Sequence, residues 1–171
     1  MSKLNLNKTW NYAAATESTN HILLKEKYDL FINGEFVKSN SKKYFDTINP
    51  ATDEVIAKIS EANKKDIDLA VKSAKIAFRR WSKLKAKERG KYIFRIARMI
   101  QERAKEFAVI ESMDGGKPIR ESRDVDIPLA ANHFFYYAGW ADKLEYAFPN
   151  KTPKPLVVAG QIIPWNFPLL I

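Results

Sequence analysis

Near the end of this 171-residue chain, Gly160-Gln161-Ile162-Ile163-Pro164-Trp165-Asn166-Phe167-Pro168 holds one amide side chain between two aromatic residues and two prolines. The prolines stiffen the backbone, and the apolar run before them reads as a strand. Asn166 would then stand at the carboxyl end of that strand, where ligands bind in open α/β sheets. Its NH2 group is the type of donor that stabilises negative charge forming on a carbonyl oxygen. The same residue types equally suit a turn Asn that caps a following helix, and the residues alone leave both readings open.

Other chemistry is sparse. The chain has no Cys, which removes a thiol nucleophile, disulfides and thiolate metal sites together and favours a reducing compartment. Of its two His, His21 lies in a polar stretch and reads as solvated, while His133 lies on an Ala-rich, aromatic helix and reads as a hydrogen-bonded structural residue. No Gly-flanked Ser elbow is present. Asp66 and Asp68, like Asp124 and Asp126, stand two residues apart, a spacing that points to different sides of a helix, so neither pair forms an acid/base dyad. Zinc-ligand spacing is absent, and none of the six glycines builds a Gly-x-Gly-x-x-Gly turn.

The elements that must carry these residues follow from periodicity. Residues 1–27 read as a polar arm with scattered anchors Leu4, Leu6, Trp10, Ile22, Leu23 and Leu24, and residues 28–171 as the folded part. Asn33-Gly34 between Leu30-Phe31-Ile32 and Glu35-Phe36-Val37 predicts a tight β-hairpin, because both turn residues tolerate positive φ. Asn49-Pro50-Ala51-Thr52-Asp53 predicts a turn, followed by an extended run over 55–59. Asn63 three residues before Asp66 predicts an N-cap. From there Ile67, Ala70, Val71, Ala74, Ala77, Phe78 and Trp81 form a core-facing stripe on a helix over 64–81.

A second helix is expected from Ala86 to Met113, burying Ile93, Ile96, Ala97, Ile100, Ala104, Phe107, Ala108 and Ile110, and ending at Asp114-Gly115-Gly116. A third is expected from Ile119 to about Ala147, disturbed near Pro128, with Phe134, Phe135, Tyr136, Tyr137 and Trp140 as packing residues. After the linker Lys151–Pro155, the run Leu156–Ile163 reads as a strand buried on both faces, whose sheet partners are not in this sequence.

A hydrophobic content of 46% with 12% aromatics is that of one globular domain, and no stretch is apolar enough to span a membrane. The start of the chain lacks the apolar core of a signal peptide, so a cytoplasmic location is expected. The net charge of +9 is spread as Lys and Arg among Glu and Asp, which describes solvated helix faces rather than a nucleic-acid surface.

The segment Gly160–Leu170 resembles the signature of the NAD(P)-dependent aldehyde dehydrogenase superfamily. The resemblance extends back through Tyr136-Tyr137-Ala138-Gly139-Trp140-Ala141-Asp142-Lys143, Asp114-Gly115-Gly116-Lys117-Pro118 and Asn49-Pro50-Ala51-Thr52 to the Phe31–Phe36 hairpin. It implies an α/β fold: the N-terminal part of the cofactor-binding domain, mostly helices with a β-hairpin and the first strand of an incomplete Rossmann-like sheet. It implies that Asn166 donates to the thiohemiacetal oxyanion. Ile162, Ile163, Pro164 and Trp165 would line the nucleotide cleft, and Phe167, Leu170 and Ile171 the substrate-tunnel side. Thr47, Ile48 and Asp114 match positions near a structural monovalent cation in some relatives.

Complete relatives oxidise aldehydes to carboxylic acids with NAD or NADP. The family's catalytic Cys, its general-base Glu, the Lys that contacts the ribose and the Gly-rich stretch near the pyrophosphate all come later than residue 171. The resemblance therefore implies a truncated portion, inactive alone, with weak or no nucleotide binding. Val157 also departs from the usual Pro-x-Gly-Val, placing a Cβ where Gly is common. The alternative reading is a non-catalytic module that oligomerises or docks on a partner through its exposed apolar end; self-association is expected, with no nucleic-acid or membrane partner.

Overall fold

The computed structural model describes residues 18–171. The anchors Leu4, Leu6 and Trp10 of the expected arm lie outside the described residues. Five short strands come first: β1 (Lys27–Tyr28), β2 (Leu30–Ile32), β3 (Glu35–Val37), β4 (Tyr44–Ile48) and β5 (Val55–Ser60). β2 and β3 form the expected hairpin, with Asn33 at φ 58° and Gly34 at φ 85°. The other three form a sheet in the order β1-β5-β4, with β1 parallel and β4 antiparallel to β5. The pairing of Lys27–Tyr28 was not expected, since two residues carry no period of their own.

The turn between β4 and β5 is closed by Asn49, whose Oδ1 accepts from Ala51 N–H at 3.0 Å and whose carbonyl accepts from Asp53 N–H at 2.8 Å. Just before it, the β4–β5 register is irregular between Thr47 and Ile48. Such a bulge re-aims side chains at the end of a ladder.

Helix α1 (Lys64–Trp81) starts where predicted, in a capping box: Asn63 Oδ1 accepts from Lys65 and Asp66 N–H, and Asp66 Oδ2 accepts from Asn63 N–H. Its apolar stripe, expected to be core, is only partly covered: Ala70, Val71, Ala74 and Phe78 are half-buried, while Ile67 is 56% exposed and Ala77 and Trp81 are exposed. The hairpin, where Ser73 Oγ donates to Asn33 Oδ1 at 3.2 Å, residues 153–157, and Tyr92, whose ring lies 5.5 Å from that of Trp81, come near the helix.

The helix expected over 86–113 is two helices, α2 (Ala86–Glu102) and α3 (Ala104–Gly115), because Arg103 leaves the helical region at φ −107°, ψ 17°. No Gly or Pro marks this break. It lets α2 lie along α5 while α3 packs against the segment that precedes α5. Ile96 of α2 faces outward rather than into the core.

The third helical stretch begins as the single turn α4 (Ile119–Glu121), widens to a π-helical turn at Ser122–Asp126, and continues as α5 (Ile127–Trp140) and α6 (Leu144–Ala147). Pro128, second in α5, has no N–H and its ring crowds the carbonyl a turn earlier; the wider turn immediately upstream accommodates it.

The core is small-residue packing between helices. Ile100, Ala108, Ile127 and Ala131 form its centre, with Phe107, Ile119, Phe134 and Leu169 against it. Gly90 lets α2 approach α5: a Cβ there would stand 3.0 Å from the Ala138 carbonyl oxygen. The aromatic cluster on α5 divides. Phe134 reaches the core and Phe135 meets Phe94 at 5.0 Å, whereas Tyr136 and Tyr137 pack on each other in the open. His133 is exposed and, among the described residues, its side chain makes no hydrogen bond, against the hydrogen-bonded structural role expected of it, and His21 is exposed as expected.

Residues 156–163 form no strand and are exposed, against the expectation of a buried one. A strand buried on both faces exists only through its neighbours, and no described strand lies beside this run. The α/β class and the partial nature of the sheet stand.

Candidate functional site

The loop that ends α3, Asp114-Gly115-Gly116-Lys117-Pro118, meets the β4–β5 turn at Thr47 and Pro50 and the last segment at Trp165 and Phe167. Its left-handed Gly116, φ 71°, is the expected C-cap, and its N–H donates to Ser112 O at 3.0 Å. The missing Cβ of Gly116 also makes room for the Pro50 ring of the β4–β5 turn. Next to it, Thr47 Oγ1 donates to Asp114 Oδ1 in a short hydrogen bond. Two of the three candidate cation-site residues are thus in direct contact, with Ile48 adjacent to Thr47 on the bulge.

Lys117 belongs to a motif that carries the resemblance, but the sequence gives it no role of its own. In the structure its ammonium is nearly buried and donates to Glu111 Oε1 at 2.9 Å and to Asp126 Oδ2 at 2.5 Å, both carboxylates being buried. Burial alone would push the Lys117 ammonium down, but the hydrogen bonds to Asp126 and Glu111 and their charges outweigh it and hold its pKa above that of an ordinary lysine. Glu111 is pushed up, because burial disfavours its charge more than Lys117 favours it. The Asp124/Asp126 pair accordingly forms no dyad. Asp126 turns inward to Lys117 and Asp124 outward to Arg123. Asp66 and Asp68 divide in the same way, one buried in a cap and one exposed.

The Lys117 ammonium also lies 4.4 Å from the centre of the Phe167 ring. The terminal segment is therefore fastened at two alternate residues, Phe167 on this cation and Leu169 on the helical core. A Cβ added at Gly115 would stand 4.0 Å from the Trp165 carbonyl oxygen, so the same loop also flanks the start of the turn. Phe167 N–H faces Pro164 O at 3.4 Å and Ile171 N–H donates to Phe167 O at 3.2 Å, which winds the segment into consecutive turns. Asn166, between the held residues, is exposed, and among the described residues its side chain makes no hydrogen bond.

The other sequence-predicted residues are distributed unevenly. Ile162 is fully exposed and Trp165 79% exposed, with Ile163 half-open and Pro164 exposed between them. They present one apolar wall with no Gly-rich phosphate turn, and taken alone do not fit a dinucleotide. Phe167 and Leu170 are half-buried, and Ile171 is 64% exposed. Among the described residues, no three His, Cys, Asp or Glu stand together as a metal site, and no helix is long and apolar enough to cross a membrane.

This arrangement matches known proteins. The aldehyde dehydrogenase family profile matches residues 36–171. An aldehyde dehydrogenase of Alternaria alternata is 44% identical over 151 residues, which is 83% of this chain and 30% of that protein. The mitochondrial aldehyde dehydrogenase family 2 member B4 of Arabidopsis thaliana is 43% identical over 169 residues, 93% of this chain and 31% of that protein. The NAD+ complex of an aldehyde dehydrogenase from Bacillus cereus superposes with a TM-score of 0.68 at 41% identity, covering 72% of this chain and 27% of that one. The chain spans less than a third of the length of these relatives. With the profile covering most of its residues, the chain belongs to the aldehyde dehydrogenase family.

Proposed function

We propose that this chain supplies the oxyanion-donor segment of an aldehyde dehydrogenase, with Asn166 donating its amide to the oxygen of an aldehyde under attack. The single observation that carries this reading is the placement of Asn166: its neighbours Phe167 and Leu169 are fastened, while its amide is left outward and unengaged. A donor fixed before the reaction needs no reorganisation when charge forms.

The reaction class is oxidation of an aldehyde to a carboxylic acid. A bound NAD or NADP would supply the hydride acceptor. Ile162, Ile163, Pro164 and Trp165 would form one wall of its cleft, and Phe167, Leu170 and Ile171 would face the aldehyde's tunnel. Thr47 and Asp114, with Ile48 beside them, would hold a monovalent cation that ties β4 to α3. The 171 residues contain no Cys, so they hold no thiolate to attack the aldehyde; by themselves they do not turn over and bind nucleotide weakly or not at all. Residues 28–171 would act as one folded unit, in the cytoplasm.

The test is complementation. The chain is mixed with a Bacillus cereus aldehyde dehydrogenase from which the matching segment has been deleted, and NADH formation is followed. Recovery by the wild-type chain and a loss of about 10²–10³ in rate with Asn166→Ala is the expected result. Equal recovery by both would overturn the oxyanion role. A second reading, an association module, is favoured by the exposed apolar run that includes Leu156 and Ile162.

A further inference from the structure

We propose that Lys117 is a positioning residue: its ammonium, locked between two buried carboxylates, grips the face of the Phe167 ring and so sets the place of the Asn166 amide. The inference rests on the reading of Asn166 as an oxyanion donor, and it adds the group that holds that donor still.

Three observations carry it. The first is that Lys117 cannot wander: its ammonium donates two charge-assisted hydrogen bonds, to Glu111 on α3 and to Asp126 in the π-helical turn. The second is that these carboxylates are 5% and 3% exposed, so the cation that faces Phe167 is desolvated, the condition under which a cation holds an aromatic face most strongly. The third is that Phe167 is adjacent to Asn166 in a segment with no ladder hydrogen bonds. Beyond its two turn hydrogen bonds, its position is therefore set by side-chain anchors. Of these, Leu169 belongs to the helical core and serves stability, whereas Phe167 meets a charge. The π-helical turn has a place in this arrangement, since Asp126 is its last residue and comes to lie against Lys117.

An aromatic ring held by a cation differs from a ring held by hydrophobic burial in one testable respect. Leucine replaces the second and not the first. The chain carrying Phe167→Leu is compared with wild type and with Phe167→Trp, which restores a π face. Three readouts are taken by NMR: the ring-current shift of the Lys117 ε-CH2 protons, the heteronuclear NOE of the Asn166 side-chain amide, and amide exchange across 165–171. Exchange at Ile100 and Ala108 serves as the core reference.

Phe167→Leu is expected to abolish the upfield shift at Lys117, loosen the Asn166 amide and speed exchange in 165–171 by about tenfold, with core exchange unchanged. Phe167→Trp is expected to return all three toward wild type. If Phe167→Leu leaves Asn166 as rigid as before, or accelerates core exchange equally, the ring is a packing residue and the proposal fails. No aldehyde or nucleotide enters this experiment. A negative result therefore removes Lys117 from the argument and leaves the complementation test of Asn166 independent.

Discussion

Gly116 and Pro50, 66 residues apart in the chain, are in contact because one lacks a side chain: a Cβ on Gly116 would stand 2.6 Å from Pro50 Cγ. This contact joins the end of α3 to the β4–β5 turn, and with it the Thr47–Asp114 hydrogen bond. Gly116→Ala therefore meets two costs, a left-handed backbone for an L-residue and an overfilled contact. We expect a loss of about 2–4 kcal/mol, read from urea unfolding. Gly139, next to last in α5 with open space around it, is the control. Gly139→Ala should be neutral or stabilising by up to about 1 kcal/mol.

Removing the Lys117 charge should be costly for a different reason. Lys117→Met leaves Glu111 and Asp126 buried without their cation, and a loss of about 3–5 kcal/mol is expected at neutral pH. Adding Glu111→Gln and Asp126→Asn should recover part of it, because the uncompensated charges are then gone. A triple variant no more stable than Lys117→Met would show that the cost lies in packing.

Stability should fall at both pH extremes through identifiable groups. Ser39 Oγ, Asn40 N–H, the Asn40 side chain and Asn63 N–H all donate to Asp66 and hold its carboxyl far below the ordinary 3.8. Its contribution is present above 3.8 and is lost as pH falls below that value. Lys117, held above 10.5, contributes below that pH and loses its contribution as pH rises through its own folded value. Glu111, raised above 4.5, acts in the opposite sense to Asp66, so stability drains as pH climbs from 4.5 through its raised value. Urea midpoints from pH 2 to 6 should decline toward acid less steeply for Asp66→Asn than for wild type. Parallel curves would remove Asp66 from the acid limb.

The exposed run from Leu156 to Ile163 should drive self-association. Leu156 and Ile162 are 81% and 102% exposed, and no described strand covers their backbone. Light scattering after size exclusion should give a mass above the monomer that falls toward it in the Leu156→Lys, Ile162→Lys double variant. A monomer at high concentration would end this reading.

Local rules written into adjacent residues were legible in the chain. Asn33-Gly34 specified a hairpin, because positive φ at two positions is a property of those residues. Asn63 and Asp66 specified a helix start, because a cap needs only its own turn. Gly116 specified a helix end, and the motifs from Phe31 to Leu170 carried the family. The break at Arg103 had no local signal, since both sides favour helix and only the different packing partners of α2 and α3 separate them. The Leu156–Ile163 run reads as a strand but is not one here, since a strand is completed by its neighbours.

The arrangement around Asn166 was decided by the tertiary structure. The sequence named the amide and its stiff backbone. It could not show that Glu111 and Asp126 turn inward, or that Lys117 lies between them with its charge against Phe167. Hydrogen-bonding and steric preferences act within a few residues and can be read in order along a chain. Burial of a charge depends on which surfaces meet, and that exists only once helices α3 and α5 and the terminal segment have packed together.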